Sequence, residues 1–168
     1  IYKPRAGERP LWDFPTGTLS RREVAAFVVS DSLGWPIVPP TVWRDGPFGP
    51  GMVQLWVDVD ETVDPVALIR SENPLLRRIS VLDAVVNNGD RKGGHLLPTA
   101  DGQVFGIDHG VTFSVDAKLR TLLWQWEGQA LTDEAVDVLE RIADGLTEDG
   151  VLRRALSGHL DRQEIDAT

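Results

Sequence analysis

The chain has no cysteine among its 168 residues, which excludes a disulfide framework and any thiolate metal site. It has no apolar run of membrane-spanning length, and its first residues lack a signal-peptide pattern, so the expected location is cytoplasmic with no integral membrane association. Clustered lysine and arginine are also missing: 17 basic residues stand against 26 acidic ones, for a formal charge of -9. Neutralising a phosphate backbone needs such clusters, so no nucleic-acid partner is expected, and an anionic membrane surface is disfavoured. Two loop types are absent as well. The glycine-rich stretch Asp45–Gly51 lacks the Gly-x-Gly-x-x-Gly order, and its two prolines remove the amides a phosphate would need, so it reads as a turn. The acidic run Asp58, Asp60, Glu61 and Asp64 lacks the alternating ligands and central glycine of a calcium loop, and reads as solvated surface with helix N-caps. No internal repeat or low-complexity segment is present.

What is there suits one α+β domain. Ile1-Tyr2-Lys3-Pro4 reads as the tail of a strand, with the natural beginning of the protein expected upstream. Residues 4–19 are a loop in which Trp12 and Phe14 serve as packing anchors. Ser20-Arg21-Arg22-Glu23 fits a capping box opening a helix that runs towards Gly34. Thr41–Arg44 and Met52–Val57 form a hairpin. Asp64-Pro65 starts a short helix, and Asn73-Pro74 starts a longer one with Leu75, Leu76, Ile79, Leu82, Val85 and Val86 on its buried face. His95–Pro98 and Gln103–Ile107 pair across Ala100-Asp101-Gly102. From Asp116 the pattern is helical, first over 118–126 and then over 133–144, the latter capped by Thr132 with Val136, Leu139 and Ile142 inward. A last helix begins near Thr147 or Asp149 and includes Leu160, after which the polar end, Gln163–Thr168, frays.

One polar constellation organises these elements. The Asn73 helix runs into Asn87-Asn88-Gly89-Asp90-Arg91-Lys92-Gly93-Gly94-His95, and the following hairpin delivers Asp108 in Gly106-Ile107-Asp108-His109-Gly110. Phosphoryl transfer needs one carboxylate at the acceptor hydroxyl and further ligands for metal ions on the nucleotide phosphates. Asp90 suits the first post, and His95 with Asp108 suits the second. Two neighbouring carboxylates repel unless a cation lies between them, so a divalent metal is expected. Lys92 is placed to neutralise a transferring phosphate. Asn87 and Asn88 are turn residues within reach of one, and His159 is a surface or packing histidine.

The spacing resembles that of protein kinases, where the catalytic-loop Asp precedes a metal-binding Asn by five positions and the Asp-Phe-Gly Asp follows by thirteen more. Here Asp90, His95 and Asp108 stand five and thirteen apart. Gly89-Asp90-Arg91 is similar to the Asp-Arg-His-Asn-x-Asn loop of phosphoinositide 3- and 4-kinases, and Asp108-His109-Gly110 resembles Asp-Phe-Gly. The chain reads like an actinobacterial group of phosphatidylinositol-kinase-like proteins, without the Ala-Pro-Glu end of a protein-kinase activation segment. The resemblance implies an abbreviated bilobal kinase fold: residues 1–57 a partial N-terminal lobe and hinge, and 58–168 a mainly helical C-terminal lobe. It implies Lys3 on the α- and β-phosphates, paired with Glu23, which the capping pattern claims as well. It implies a hinge in which Gln54, Leu55, Trp56 and Val57 meet an adenine edge over Leu97 and Ile107. Arg91 would brace the loop. His95 and Asp108 would hold magnesium or manganese, and His95 departs from the family's Asn, since imidazole suits magnesium less than oxygen ligands do. The implied activity is transfer of the γ-phosphoryl group of ATP to a hydroxyl on an inositol lipid, a polyol or a protein. The alternatives are a nucleotide-binding pseudokinase or regulatory module, and a nucleotidyl transferase using the same residues.

Overall fold

Helix α1 (Leu19–Ser32) joins a small sheet to the rest of the chain. Its first amides are not capped by Thr18 or Ser20. Instead the Glu8 carboxylate accepts from the backbone of Leu19 and Ser20 at 3.1 and 2.7 Å, doing from a distance what an N-cap side chain does. The expected Ser20–Glu23 capping box therefore does not form: both residues lie inside the helix, where Ser20 is spoken for by Glu8 and Glu23 turns elsewhere. The helix ends in a Schellman arrangement, with Gly34 at φ 67° and the Gly34 and Trp35 amides returning to the carbonyls of Asp31 and Ser30. Only glycine adopts that conformation without a Cβ penalty.

The sheet packed on α1 has three antiparallel strands, β1 (Tyr2–Pro4), β2 (Thr41–Gly46) and β3 (Gly49–Gln54), in the order β1-β3-β2. The β2–β3 strands extend further towards their turn than the sequence suggests, leaving Pro47-Phe48 as a two-residue connection between paired Gly46 and Gly49. A Cβ on Gly51 would lie 2.4 Å from the Lys3 carbonyl, so the glycine lets β1 lie close along β3. The chain then crosses to α2 (Pro65–Ile69) and α3 (Pro74–Val85), capped by Asp64 and Asn73 with proline in the first turn. A second sheet, β4 (Leu96–Pro98) and β5 (Val104–Gly106), follows. Helices α4 (Asp133–Gly145), α5 (Val151–Leu156) and α6 (Arg162–Asp166) complete the chain. The structure, a computed structural model, describes residues 1–168. It is a mixed α+β protein with two small antiparallel sheets, and no helix is long and apolar enough to cross a membrane. One apolar core runs through it, from Ala25 and Val29 on α1 through Leu76, Leu82 and Val138 to Ile165 near the C-terminus.

Further expectations are corrected, among them the expected last helix, which ends at Leu156 and does not include Leu160. Residues 118–126 are not helical. Their backbone is engaged elsewhere: the amide of Lys118 donates to the Asn87 side chain, that of Arg120 to the Asn88 carbonyl at 2.8 Å, and the Arg120 carbonyl accepts from Arg91 at 3.1 Å. Paired with the loop before them, these groups have no need of helical partners. The C-terminal residues do not fray. Asp161 and Glu164 form a capping box that starts α6, Ile165 is buried, and Glu164 pairs with buried Arg22 on α1. Trp12 is no core anchor, being 95% exposed with the Lys118 ammonium over its ring, whereas Phe14 is buried. On α4 the inward face is Ala135, Val138 and Ile142, and Val136 points outward.

Candidate functional site

Helix α3 carries an aspartate where its apolar stripe calls for a hydrophobic residue. Asp83 is fully buried and takes both Nε and Nη2 of Arg91, at 3.0 and 2.8 Å, together with the Asn88 amide at 2.8 Å and the Thr121 hydroxyl at 3.2 Å. Arg91 continues to the Ile107 carbonyl at 2.9 Å and the His109 ring at 2.7 Å. Arg91 thus braces the loop, as the resemblance implies, and its buried charge is met on every side. Asn88 also accepts from the Asp90 amide at 3.0 Å. Asn87, at φ 49°, holds the carbonyls of Ser114 and Asp116 and the amide of Lys118. Both asparagines are committed to the loop and neither is free for a phosphate.

The loop continues into a 3-10 turn, Gly93–His95, and the His95 carbonyl accepts from Ile107 at 2.9 Å. That bond extends the β4–β5 ladder by one rung and sets His95 beside Asp108. Asp108 adopts φ 61°, a left-handed conformation that aspartate tolerates better than most residues. The turn aims the next amide, that of His109, at Glu23 Oε2, 2.9 Å away. Glu23 Oε1 meets Lys3 Nζ at 3.1 Å, Lys3 meets Asp108 Oδ1 at 3.3 Å, and Asp108 Oδ2 meets His95 Nε2 at 3.3 Å. Residues 3, 23, 95 and 108, from four separate elements, therefore form one chain of contacts.

Burial pulls the Lys3 pKa down, but the Glu23 and Asp108 carboxylates outweigh it and the ammonium titrates above its ordinary range. Burial raises Glu23 above the usual carboxylate value, with Lys3 and the His109 amide only partly offsetting it. For Asp108 burial acts upward, yet Lys3 and His95 hold the carboxyl below its ordinary value. Burial, followed by the nearby positive charges of Arg91 and Lys92, lowers His95 against the pull of Asp108. His109 is lowered furthest, by complete burial and then by Arg91. Because a guanidinium only donates, His109 Nε2 accepts from Arg91 and the proton resides on Nδ1.

Two clefts flank this chain of contacts. One, of about 360 Å³, is lined by Lys3, Glu8, Glu23, Asp108 and Gly110 among others. The second, of about 380 Å³, holds Asp90 with Asp13, Lys118 and Arg120. They share Val111. Asp90 and Asp108 thus open on adjoining clefts rather than on one. Asp90 is held by Lys92 at 2.7 Å and Arg120 at 3.5 Å. No group of three or more His, Asp or Glu side chains capable of holding a metal ion by themselves is present.

The hinge residues behave differently from one another. The Gln54 side chain is buried against Thr41, and the Leu55 amide is taken by Pro40 at 2.9 Å. Trp56 and Val57 follow without backbone partners, Trp56 is exposed, and the segment reaches β4 at Asp60, whose amide donates to Pro98. Leu97 on β4 and Ile107, the residue after β5, are half-buried. None of these six residues lines either cleft.

Asp83 and Glu8 were not singled out from the sequence. Asp83 had a signal: it occupies a buried position of the α3 stripe eight residues before Arg91. Glu8 had none, because its partners lie across a loop of irregular path.

No protein-family model matches the chain. The chain is 42% identical over 202 aligned residues to Protein Rv2133c of Mycobacterium tuberculosis, covering 99% of this chain and 72% of that protein. The chain belongs to the same family as Protein Rv2133c.

Proposed function

We propose that the protein is a small atypical kinase related to the phosphatidylinositol 3- and 4-kinase-like superfamily, an abbreviated bilobal fold that transfers the γ-phosphoryl group of ATP to a hydroxyl. The observation that carries this reading is the Lys3–Glu23–Asp108 contact chain, which joins the strand lysine, the helix glutamate and the residue at the Asp-Phe-Gly position named by the spacing. Lys3 lies on the strand beside the one that leads into the hinge, and α1 carries Glu23 behind it.

The two clefts supply the two halves of the reaction. Lys3 takes the phosphates in the first, and the amides of Trp56 and Val57 remain for an adenine edge. In the second, Asp90 orients the acceptor hydroxyl and receives its proton as the oxygen bonds to the γ-phosphorus and the β–γ bridging bond breaks, releasing ADP. Lys92 and Arg120, already against Asp90, face the charge that develops on the transferring group. The His95 imidazole and Asp108 carboxylate would hold a divalent magnesium or manganese ion, which would supply charge neutralisation on the phosphates. A second reading, a nucleotide-binding module without turnover, is favoured by the Lys92 and Arg120 contacts that occupy both Asp90 oxygens.

A thermal-shift titration with ATP and divalent metal tests the proposal. At a ligand concentration about a hundredfold above Kd the stabilisation is about 2.7 kcal/mol, or roughly 5–10 °C for a chain of this size. The shift is expected to need metal and to shrink in Asp108→Asn, with Asp90→Ala retaining the shift but losing acceptor-independent ATP hydrolysis. No shift of the wild-type protein with any metal ends the kinase reading, and a metal-dependent shift of the wild-type protein without any ATP hydrolysis selects the second one.

A further inference from the structure

We propose that the ion used with the nucleotide at this site is manganese in preference to magnesium, with His95 Nε2 as a direct ligand. The inference rests on the phosphotransferase reading and concerns the one place where the site departs from an all-oxygen ligand set. In an octahedral shell with bonds of about 2.1 Å, neighbouring ligands lie roughly 3 Å apart. His95 Nε2 and Asp108 Oδ2 stand 3.3 Å apart, close to the separation that two adjacent ligands of one ion require. The imidazole is fixed in this pose. Its side chain is 13% exposed, its amide donates to the Lys92 carbonyl, its carbonyl accepts from Ile107, and Nδ1 is buried. Nε2 is therefore the nitrogen that faces the half-exposed carboxylate, and that carboxylate lines the first cleft.

Ligand chemistry then selects among ions. Magnesium strongly prefers oxygen ligands and gives up its waters reluctantly. Of the two ions the proposed reaction would use, manganese is the transition ion and accepts a nitrogen donor more readily than magnesium does, though less avidly than the later first-row ions. Zinc would want three or four protein ligands, and no third His, Asp or Glu completes such a set. Manganese combines tolerance for one nitrogen with the octahedral, oxygen-rich shell that phosphates and waters complete. With only two protein donors the ion has no site of its own, so its uptake depends on the nucleotide.

The test uses the whole chain with a non-hydrolysable ATP analogue. Calorimetric titration is expected to show the analogue binding about tenfold or more tightly with manganese than with magnesium, and no manganese uptake without the analogue. Pulsed electron paramagnetic resonance of the manganese-loaded wild-type complex is expected to show hyperfine coupling to one imidazole nitrogen, a readout that needs no variant to fold. In His95→Asn the coupling disappears and the manganese-to-magnesium ratio falls. An analogue bound with manganese but without nitrogen coupling, or with the same metal ratio in wild type and His95→Asn, overturns the inference and leaves the kinase reading standing. No analogue binding with either ion overturns both.

Discussion

Replacing Asp83 by Asn removes one charge from a site that water does not reach. In the native protein Asp83 is fully buried, Arg91 is 4% exposed, and the carboxylate accepts from Arg91, Asn88 and Thr121. The amide retains one acceptor oxygen but turns an NH2 towards a guanidinium that can only donate, leaving Arg91 as an uncompensated buried charge. Breaking a buried pair from one side costs about 3–5 kcal/mol, a large share of the roughly 5–15 kcal/mol by which domains are stable. Urea unfolding followed by tryptophan fluorescence reads the loss directly. With an m-value of about 2 kcal/mol/M, the midpoint falls by roughly 1.5–2.5 M at unchanged slope. The double variant Asp83→Leu with Arg91→Met removes both charges, so it should lose less than Asp83→Leu alone. Amide exchange over residues 88–91 should accelerate in Asp83→Asn, since those residues are fastened through this pair. A loss below about 1 kcal/mol, the range of exposed pairs, would refute the claim that the dry Asp83–Arg91 pair holds the loop.

Two further predictions concern the histidines and the start of α1. Burial first, then neighbouring cations, lowers the pKa of His95, His109 and His159 from the ordinary 6.5, so below that pH the unfolded chain binds protons that the folded chain does not. Stability is therefore full well above pH 6.5 and falls as pH drops below it towards the folded values, most for the fully buried His109. Glu23, raised above 4.5, acts in the opposite sense, its contribution being lost as pH rises through its folded value. Urea midpoints at pH 7.5 and 5.5 should differ in wild type and differ less in His109→Gln; equal midpoints in wild type would contradict the buried neutral imidazoles. Glu8→Ala strips the cap from the Leu19 and Ser20 amides and should cost about 0.5–2 kcal/mol, a fall of a few degrees in melting temperature. An unchanged melting temperature would show that water replaces the carboxylate.

The sequence was most legible where local rules and tertiary demands agree. Asn73-Pro74 announces α3 through a cap and a proline that both act within one turn, and the β4–β5 hairpin follows from short-range alternation around a glycine turn. The contact chain was legible for a different reason: motif spacing named residues 3, 23, 95 and 108, and those side chains meet. Legibility failed where distant partners set the backbone. Leu119, Leu122, Leu123 and Trp126 have helical spacing, yet the Lys118 and Arg120 amides serve Asn87 and Asn88, which periodicity does not register. Ser20-Arg21-Arg22-Glu23 has the letters of a capping box, but Glu8 takes the helix end and frees Glu23 for Lys3 and His109. The polar C-terminus looked solvated because the buried arginine that receives Glu164 lies 142 positions away.

The two ion-pair systems in this site differ in a way that bears on how it could work. Asp83–Arg91 is dry and saturated, and nothing from solution can enter it without leaving a buried charge alone. Lys3 and Asp108 have side chains 43% and 47% exposed, and their contact of 3.3 Å lies at the wall of a cleft. A half-solvated pair contributes little to stability, so exchanging Asp108 for a phosphate oxygen at Lys3 costs little. Glu23, with its side chain 4% exposed and its second oxygen fixed by the His109 amide, stays behind Lys3 throughout the exchange. Under the proposed kinase reading Lys3 would pass from carboxylate to phosphate with Glu23 still balancing its charge, and the Asp108 oxygen now held by Lys3 would be released while the other stays against His95. Rigidity is concentrated beneath Asp90, and exchangeable contacts are concentrated around Lys3, the division of labour that the proposed phosphoryl transfer would need.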